Sequence, residues 1–255
     1  MKRLVFIVSL IALALASCSK LERNEKKYLE GMMSEDYETS IKAFDEFADW
    51  MLNDRSTMTY DFKLMREKMD LKIVSSQDGR LRCYSWPTSV NEKVKVYANL
   101  SQWTSGDNFI GFNGPIDKLL AGRNAKIKQH SSLAHSIDSI YQIQVGKQTV
   151  YLIAQSYHNT DGNYRAYVSA TYIDGVVLRL LPNFFDGIEI AGNYEITDAD
   201  GKVNAADLFK WDDKAKRFYA YQTDDSNHVV PGKYAIYQLN GDRFIRLNNP
   251  LAEAE

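Results

Sequence analysis

Hydrophobic positions follow two different periods along this chain, and the change falls near residue 70. Ile41, Phe44, Ala48 and Met51 recur at i, i+3, i+7 and i+10, the stripe of an amphipathic helix. Phe62, Met65 and Met69 predict a second, shorter helix. From Leu71 onward the period is two. Val94, Val96, Ala98 and Leu100 share one face, with Lys93, Lys95, Tyr97 and Asn99 opposite. Tyr164, Ala166, Val168, Ala170 and Tyr172 alternate with Arg165, Tyr167, Ser169, Thr171 and Ile173. This alternation predicts half-buried antiparallel strands. On the same pattern Tyr97 and Tyr167 lie opposite the apolar face, where aromatic rings stack on sugars or pack against a protein partner.

Turn chemistry agrees with the strands. Asp78-Gly79, Asp161-Gly162, Asp174-Gly175, Asp186-Gly187, Asp200-Gly201 and Asn240-Gly241 are Asp/Asn-Gly pairs, the signal of tight hairpin turns. Strand-like runs flank three of them and predict hairpins over Lys72–Trp86, Tyr164–Leu181 and Tyr234–Leu247. Phe209–Asp212 followed by Arg217–Tyr221 predicts another. The count reaches about a dozen strands between Leu71 and Leu247, mostly joined as consecutive hairpins. The expected fold is mainly β, an antiparallel hairpin meander preceded by a helical segment. A propeller-like ring of about four small sheets, at roughly 40–45 residues per blade, is favoured over a β-sandwich or a twisted open sheet.

Composition sharpens the boundary. All seven Met lie at or before Met69, all five Pro at or after Pro87, and of 14 Gly only Gly31 precedes residue 70. Helix breakers avoid the first part and fill the second. Lys2 and Arg3 precede an apolar stretch, Leu4 to Ala16, which is shorter than the ~20 residues a membrane-spanning helix needs and has the form of an export signal. The expected organisation is a signal peptide over 1–17, a charged, solvated tether over 18–35, a helical segment over 36–70 packed on the body, and an antiparallel β domain over 71–255. Of 31 basic residues, Lys2 and Arg3 leave with the signal, so 29 face 33 acidic ones. That balance disfavours nucleic acid as a partner.

The signal ends in Leu15-Ala16-Ser17-Cys18, which resembles the lipobox of bacterial lipoproteins. That resemblance implies acylation of Cys18 and anchoring to a membrane through its lipid. With Cys18 acylated, Cys83 has no intramolecular disulfide partner, and its place on the Leu81 face of a strand predicts a small buried hydrophobe. The chain also resembles a group of Bacteroidetes-type secreted lipoproteins. The matching pieces are the lipobox, the polar lead, the helical segment, and the runs Ser75–Trp86, Thr149–Ile153 and Ile236–Phe244. The resemblance implies a cell-envelope protein with a β-rich body and carries over no catalytic residue. Ser19-Lys20-Leu21-Glu22-Arg23 is mixed in sign, unlike the acidic cluster of surface-exported members, which implies the periplasmic face of the outer membrane. Asp138-Ser139-Ile140 resembles the O-glycosylation acceptor motif of that group, with Ser139 as the acceptor.

Candidate chemistry is sparse. Around Gly201, the side chains of Asp198, Asp200, Asn204 and Asp207 fall at ligand positions of an EF-hand-like calcium loop. Ile196 occupies its first position, so an Asp-Gly turn with polar neighbours is the competing expectation. His130 and His135 are five apart and miss the helical zinc spacing, and they are read as a surface loop. Gly-x-Ser-x-Gly, Walker and dinucleotide-binding glycine patterns are absent from the sequence. No cofactor is expected beyond possible calcium. The expected function is non-enzymatic, with an envelope lipoprotein binding a glycan or an envelope protein through its β body. The alternatives are an anchored hydrolase acting on polysaccharide and a structural subunit of an envelope complex.

Overall fold

The computed structural model describes residues 20–91, 94–116, 135–158, 164–185, 193–198, 208–224 and 229–247. It divides at the boundary where the hydrophobic period changes, into a unit ending at Leu71 and a unit beginning at Lys72.

The first unit is helical. Residues 20–32 form helix α1, where a solvated tether is expected from the charge pattern. Leu21, Glu25 and Leu29 recur four apart and are buried, so this charged run carries an inward stripe of its own. Helix α2 spans Tyr37–Asn53, and the Asp36 carboxylate accepts from the Thr39 backbone N–H at 2.9 Å, an N-cap. Its buried face is Phe47, Ala48, Trp50 and Met51, while Ile41 of the expected stripe lies exposed. A 3-10 turn over Arg55–Thr59 leads to helix α3, Lys63–Met69. The start of α3 has no local side-chain cap. The buried Glu25 carboxylate accepts instead from the Met65 backbone N–H at 2.9 Å and from the Tyr60 hydroxyl at 2.6 Å. Tyr28, Phe47, Trp50 and Phe62 pack ring against ring, with centroids 5.4–6.1 Å apart.

The second unit is mainly β, with thirteen named strands in three antiparallel sheets. The first sheet is β1 (Lys72–Ser75), β2 (Leu81–Asn91), β3 (Val94–Ser105) and β4 (Asn108–Asn113), each beside its chain neighbour. The second is β5 (Ser136–Val145), β6 (Gln148–His158), β7 (Tyr164–Asp174) and β8 (Val177–Leu180). A fifth strand, β9 (Asn193–Asp198), also pairs with β7. The third is β10 (Phe209–Asp212), β11 (Arg217–Thr223), β12 (Val229–Asn240) and β13 (Arg243–Arg246). The expected hairpins are β1–β2, β7–β8, β10–β11 and β12–β13. The first and third sheets are simple meanders, and the described residues form three sheets where the sequence reading counts about four. Between Leu180 and Phe209, the described strand β9 joins the second sheet.

The second sheet is the middle layer. Val150, Leu152 and Ala154 of β6 and Ala166, Val168 and Ala170 of β7 join a core with Phe209, Phe218, Tyr237 and Phe244 of the third sheet. The intervening Tyr151 and Ile153 join a different core with Leu81, Cys83 and Trp103 of the first sheet. Both faces of β6 are therefore covered, which is why its sequence reads as a near-continuous apolar run. The reading of β7 is corrected as well. Tyr167 is fully buried, although it lies opposite the apolar face, because the rings of His135 and Tyr157 pack against it. Tyr97 is half-buried. Cys83 is buried as its alternation predicts, with the Ser101 hydroxyl donating to its sulfur at 3.4 Å.

Candidate functional site

The face between the first and second sheets is apolar toward one end and polar toward the other. Its polar end is built on a β-bulge. The register of β5 against β6 shifts between Ile137 and Ser139, leaving Asp138 outside the pairing. A bulge re-aims the residue it inserts, and here it turns a carboxylate into the protein. Asp138 accepts from the Ser136 hydroxyl at 2.9 Å, from the Ser156 hydroxyl at 2.6 Å and from the Lys72 ammonium of β1. Lys72 also reaches the Ser136 hydroxyl at 3.4 Å. A Ser–Lys pair suggests a nucleophile and its base, but a base must be neutral to take a proton. Lys72 is ion-paired with Asp138, and both Asp138 oxygens are occupied. The cluster joins β1 of the first sheet to β5 and β6 of the second. Ser139, the expected glycosylation acceptor, sits half-buried beside this bulge in β5.

His135 lies next to the joint. It is buried, where the sequence reading has a surface loop. Its ring stacks on Tyr157 at 4.3 Å, Nδ1 lies 2.5 Å from the Tyr167 hydroxyl, and its carbonyl accepts from the Asn99 side chain at 2.8 Å. The signal that identifies it is the run Ser136-Ile137-Asp138 that follows. Residues 136–138 at the start of β5 are buried, and His135 is continuous with them.

At the opposite end, hairpin turns of the first and second sheets border a recess of about 410 Å³, within the range of small-ligand pockets. Its lining includes Arg80, Lys147, Gln148, Thr149 and Tyr151, with Val145 and Ile173 as the apolar part. Turn chemistry places the charged members. Val145 pairs with Gln148 across a two-residue loop, Gly146-Lys147. Gly146 has φ +57°, a conformation that favours glycine, and the tight turn presents Lys147 to solvent. Asp78 organises the other wall. One of its oxygens accepts from the Ser76 hydroxyl at 2.6 Å and the Arg80 backbone N–H at 3.0 Å; the other accepts from the Tyr151 hydroxyl at 2.8 Å. Arg80 Nε donates to the Thr104 carbonyl at 3.4 Å, which orients the guanidinium. Neither Arg80 nor Lys147 forms an ion pair among the described residues.

Burial, reinforced by the bond to Asp78, raises the Tyr151 hydroxyl above its ordinary value of 10.0. The phenol therefore stays protonated and, fully buried, donates to Asp78 from within the wall. Burial also raises Tyr84 and Tyr60, and pushes the Cys83 thiol from 9.0 up to about 12. All four groups hold their protons more tightly when folded, so the unfolded chain releases them first. The stability they contribute is present below pH 9 and is lost as pH rises through 9–12. Urea unfolding at stepped pH is expected to give a constant midpoint to about pH 9 and a falling one above it. An unchanged midpoint at pH 11 contradicts the burial of these groups.

The remaining sequence candidates have mixed placement. Cys18 lies outside the described residues, as do Asp200, Asn204 and Asp207 of the calcium loop. Asp198 ends β9. Among the described residues no three His, Cys, Asp or Glu side chains converge on a metal-sized site. No described helix is long and apolar enough to cross a membrane. The recess was not legible in advance, because Arg80 and Lys147 are ordinary turn cations in the sequence. Comparison with protein-family models, curated proteins and solved structures finds no match to the chain.

Proposed function

We propose that this chain is a lipid-anchored envelope protein that binds a glycan without transforming it, held at the periplasmic face of the outer membrane through Cys18. The anchor rests on the lipobox sequence. The binding role is carried by the recess at the hairpin ends of the first and second sheets. Gln148, Thr149 and Arg80 bring amide, hydroxyl and guanidinium groups to one concavity whose lining also includes Val145 and Ile173, the combination that holds a polar ligand in place. Rigid stacked sheets support it. The anchored-hydrolase reading is weakened by the Asp138–Lys72 joint, whose ionisable groups are committed to each other. The structural-subunit reading draws on Tyr37 and Ile41, exposed one turn apart on α2.

The test uses the acylated full chain in detergent, with mass spectrometry confirming the lipid on Cys18. A thermal-shift screen against neutral and acidic glycan fragments is run beside a time course of sugar composition. A raised melting temperature with no sugar consumed is the expected result. Product accumulating with time overturns the non-enzymatic reading, and no shift with any fragment overturns the binding role.

A further inference from the structure

We infer that the recess selects an anionic saccharide, one bearing a carboxylate or a sulfate ester, through Arg80 and Lys147. This inference rests on the binding role proposed above and adds the charge of the ligand. Two cations border the same concavity from different sheets, and neither is neutralised by an ion pair among the described residues. The carboxylate bonded to the recess wall is Asp78. Its oxygens already accept three hydrogen bonds, from Ser76, Arg80 and Tyr151. Asp78 therefore shapes the wall, and two positive charges facing one occupied carboxylate leave the recess net positive. This contrasts with the formal net charge of −2 on the whole chain, so the positive charge is local.

The chemistry of the two cations differs in a useful way. Arg80 has its Nε fixed on the Thr104 carbonyl, so its outer nitrogens form an oriented fork that matches a planar carboxylate or a sulfate edge. Lys147 stands on a two-residue turn and is a point charge on a flexible stem. Beside them, the side chains of Gln148 and Thr149 match sugar hydroxyls. A neutral sugar satisfies only the second set, and a simple inorganic anion only the first.

The experiment is calorimetry on the acylated full chain in detergent, with digalacturonate, 6-sulfated N-acetylglucosamine and cellobiose as probes. The acidic probes are expected to bind at least tenfold more tightly than cellobiose, with the preference shrinking between 50 and 300 mM salt. Arg80→Gln and Lys147→Gln are each expected to erase most of that preference. Lys147→Gln lies on an exposed turn and guards against a folding defect in the other variant. Binding of one acidic probe alone supports the inference and identifies carboxylate or sulfate as the charge. Equal binding of cellobiose, or a preference that survives both substitutions, overturns the inference and leaves the binding role standing. Failure of all three probes to bind overturns both.

Discussion

Replacing Asp138 by alanine is expected to cost about 2–4 kcal/mol of stability, one of the two largest single-residue effects in the β unit. The side chain is 2% exposed and accepts from Lys72, Ser136 and Ser156. Removing one partner of a buried ion pair is usually worth about 3–5 kcal/mol, because the remaining charge has no counterpart. Lys72 is 37% exposed, so water recovers part of that cost, and the range is lowered accordingly. The two serine hydroxyls are buried and gain no such relief. Asp138→Asn keeps one acceptor oxygen and is expected to lose about half as much. Lys72→Met is expected to lose less again, since the carboxylate retains both hydroxyl donors. The order Asp138→Ala, Asp138→Asn, Lys72→Met in urea midpoint is the measurement. If Lys72→Met proves the most damaging, the joint is held by the lysine and the assignment is wrong.

Phe244→Ala is expected to be larger, at about 3–5 kcal/mol. The ring is fully buried and meets Phe184, Phe185, Trp211 and Phe218 with centroids 5.1–5.8 Å away. Its backbone N–H donates to the Phe184 carbonyl at 2.7 Å, and residue 185 bridges residue 244 in parallel. A cavity here opens where β13 and the segment after β8 are tied together, and neighbouring rings are too rigid to collapse into it. Phe244→Leu keeps most of the volume and is expected to cost about 1–2 kcal/mol. Thermal melts of the two variants check the difference. A loss below 1 kcal/mol for Phe244→Ala means that the aromatic cluster does not hold the third sheet to the second.

The two sites differ in how far they can be read from sequence. Phe244 stands in the run Asn240-Gly241-Asp242-Arg243-Phe244, where the turn and the alternation point it inward. Asp138 does not follow from alternation, because a bulge breaks the phase at that residue and no local pattern announces a bulge. Its partner Lys72 is 66 residues away. The recess is less legible still. Arg80 follows a turn that the Asp78-Gly79 pair predicts, and Lys147 sits in a turn, but only the stacking of the two sheets brings them to one concavity. The tether failed for a different reason. Its charge density suggests solvation, while Leu21, Glu25 and Leu29, spaced one helical turn apart, carry the packing.

Local patterns by themselves determined the division at Leu71, the helical first unit, the antiparallel strands and the position of four hairpins. These features depend on residues a few positions apart, whose turn preferences and periodicity act within one element. The tertiary structure decided which strands are covered on both faces. A strand's alternation reports that its two faces differ, and it does not say what lies against the second face. His135 is buried where Asn99 of the first sheet meets it, and Tyr167 is buried against His135 and Tyr157. The same layering joins Asp138 to Lys72 and gathers Arg80, Lys147 and Tyr151 into a recess, since sheet stacking couples residues that no local period connects.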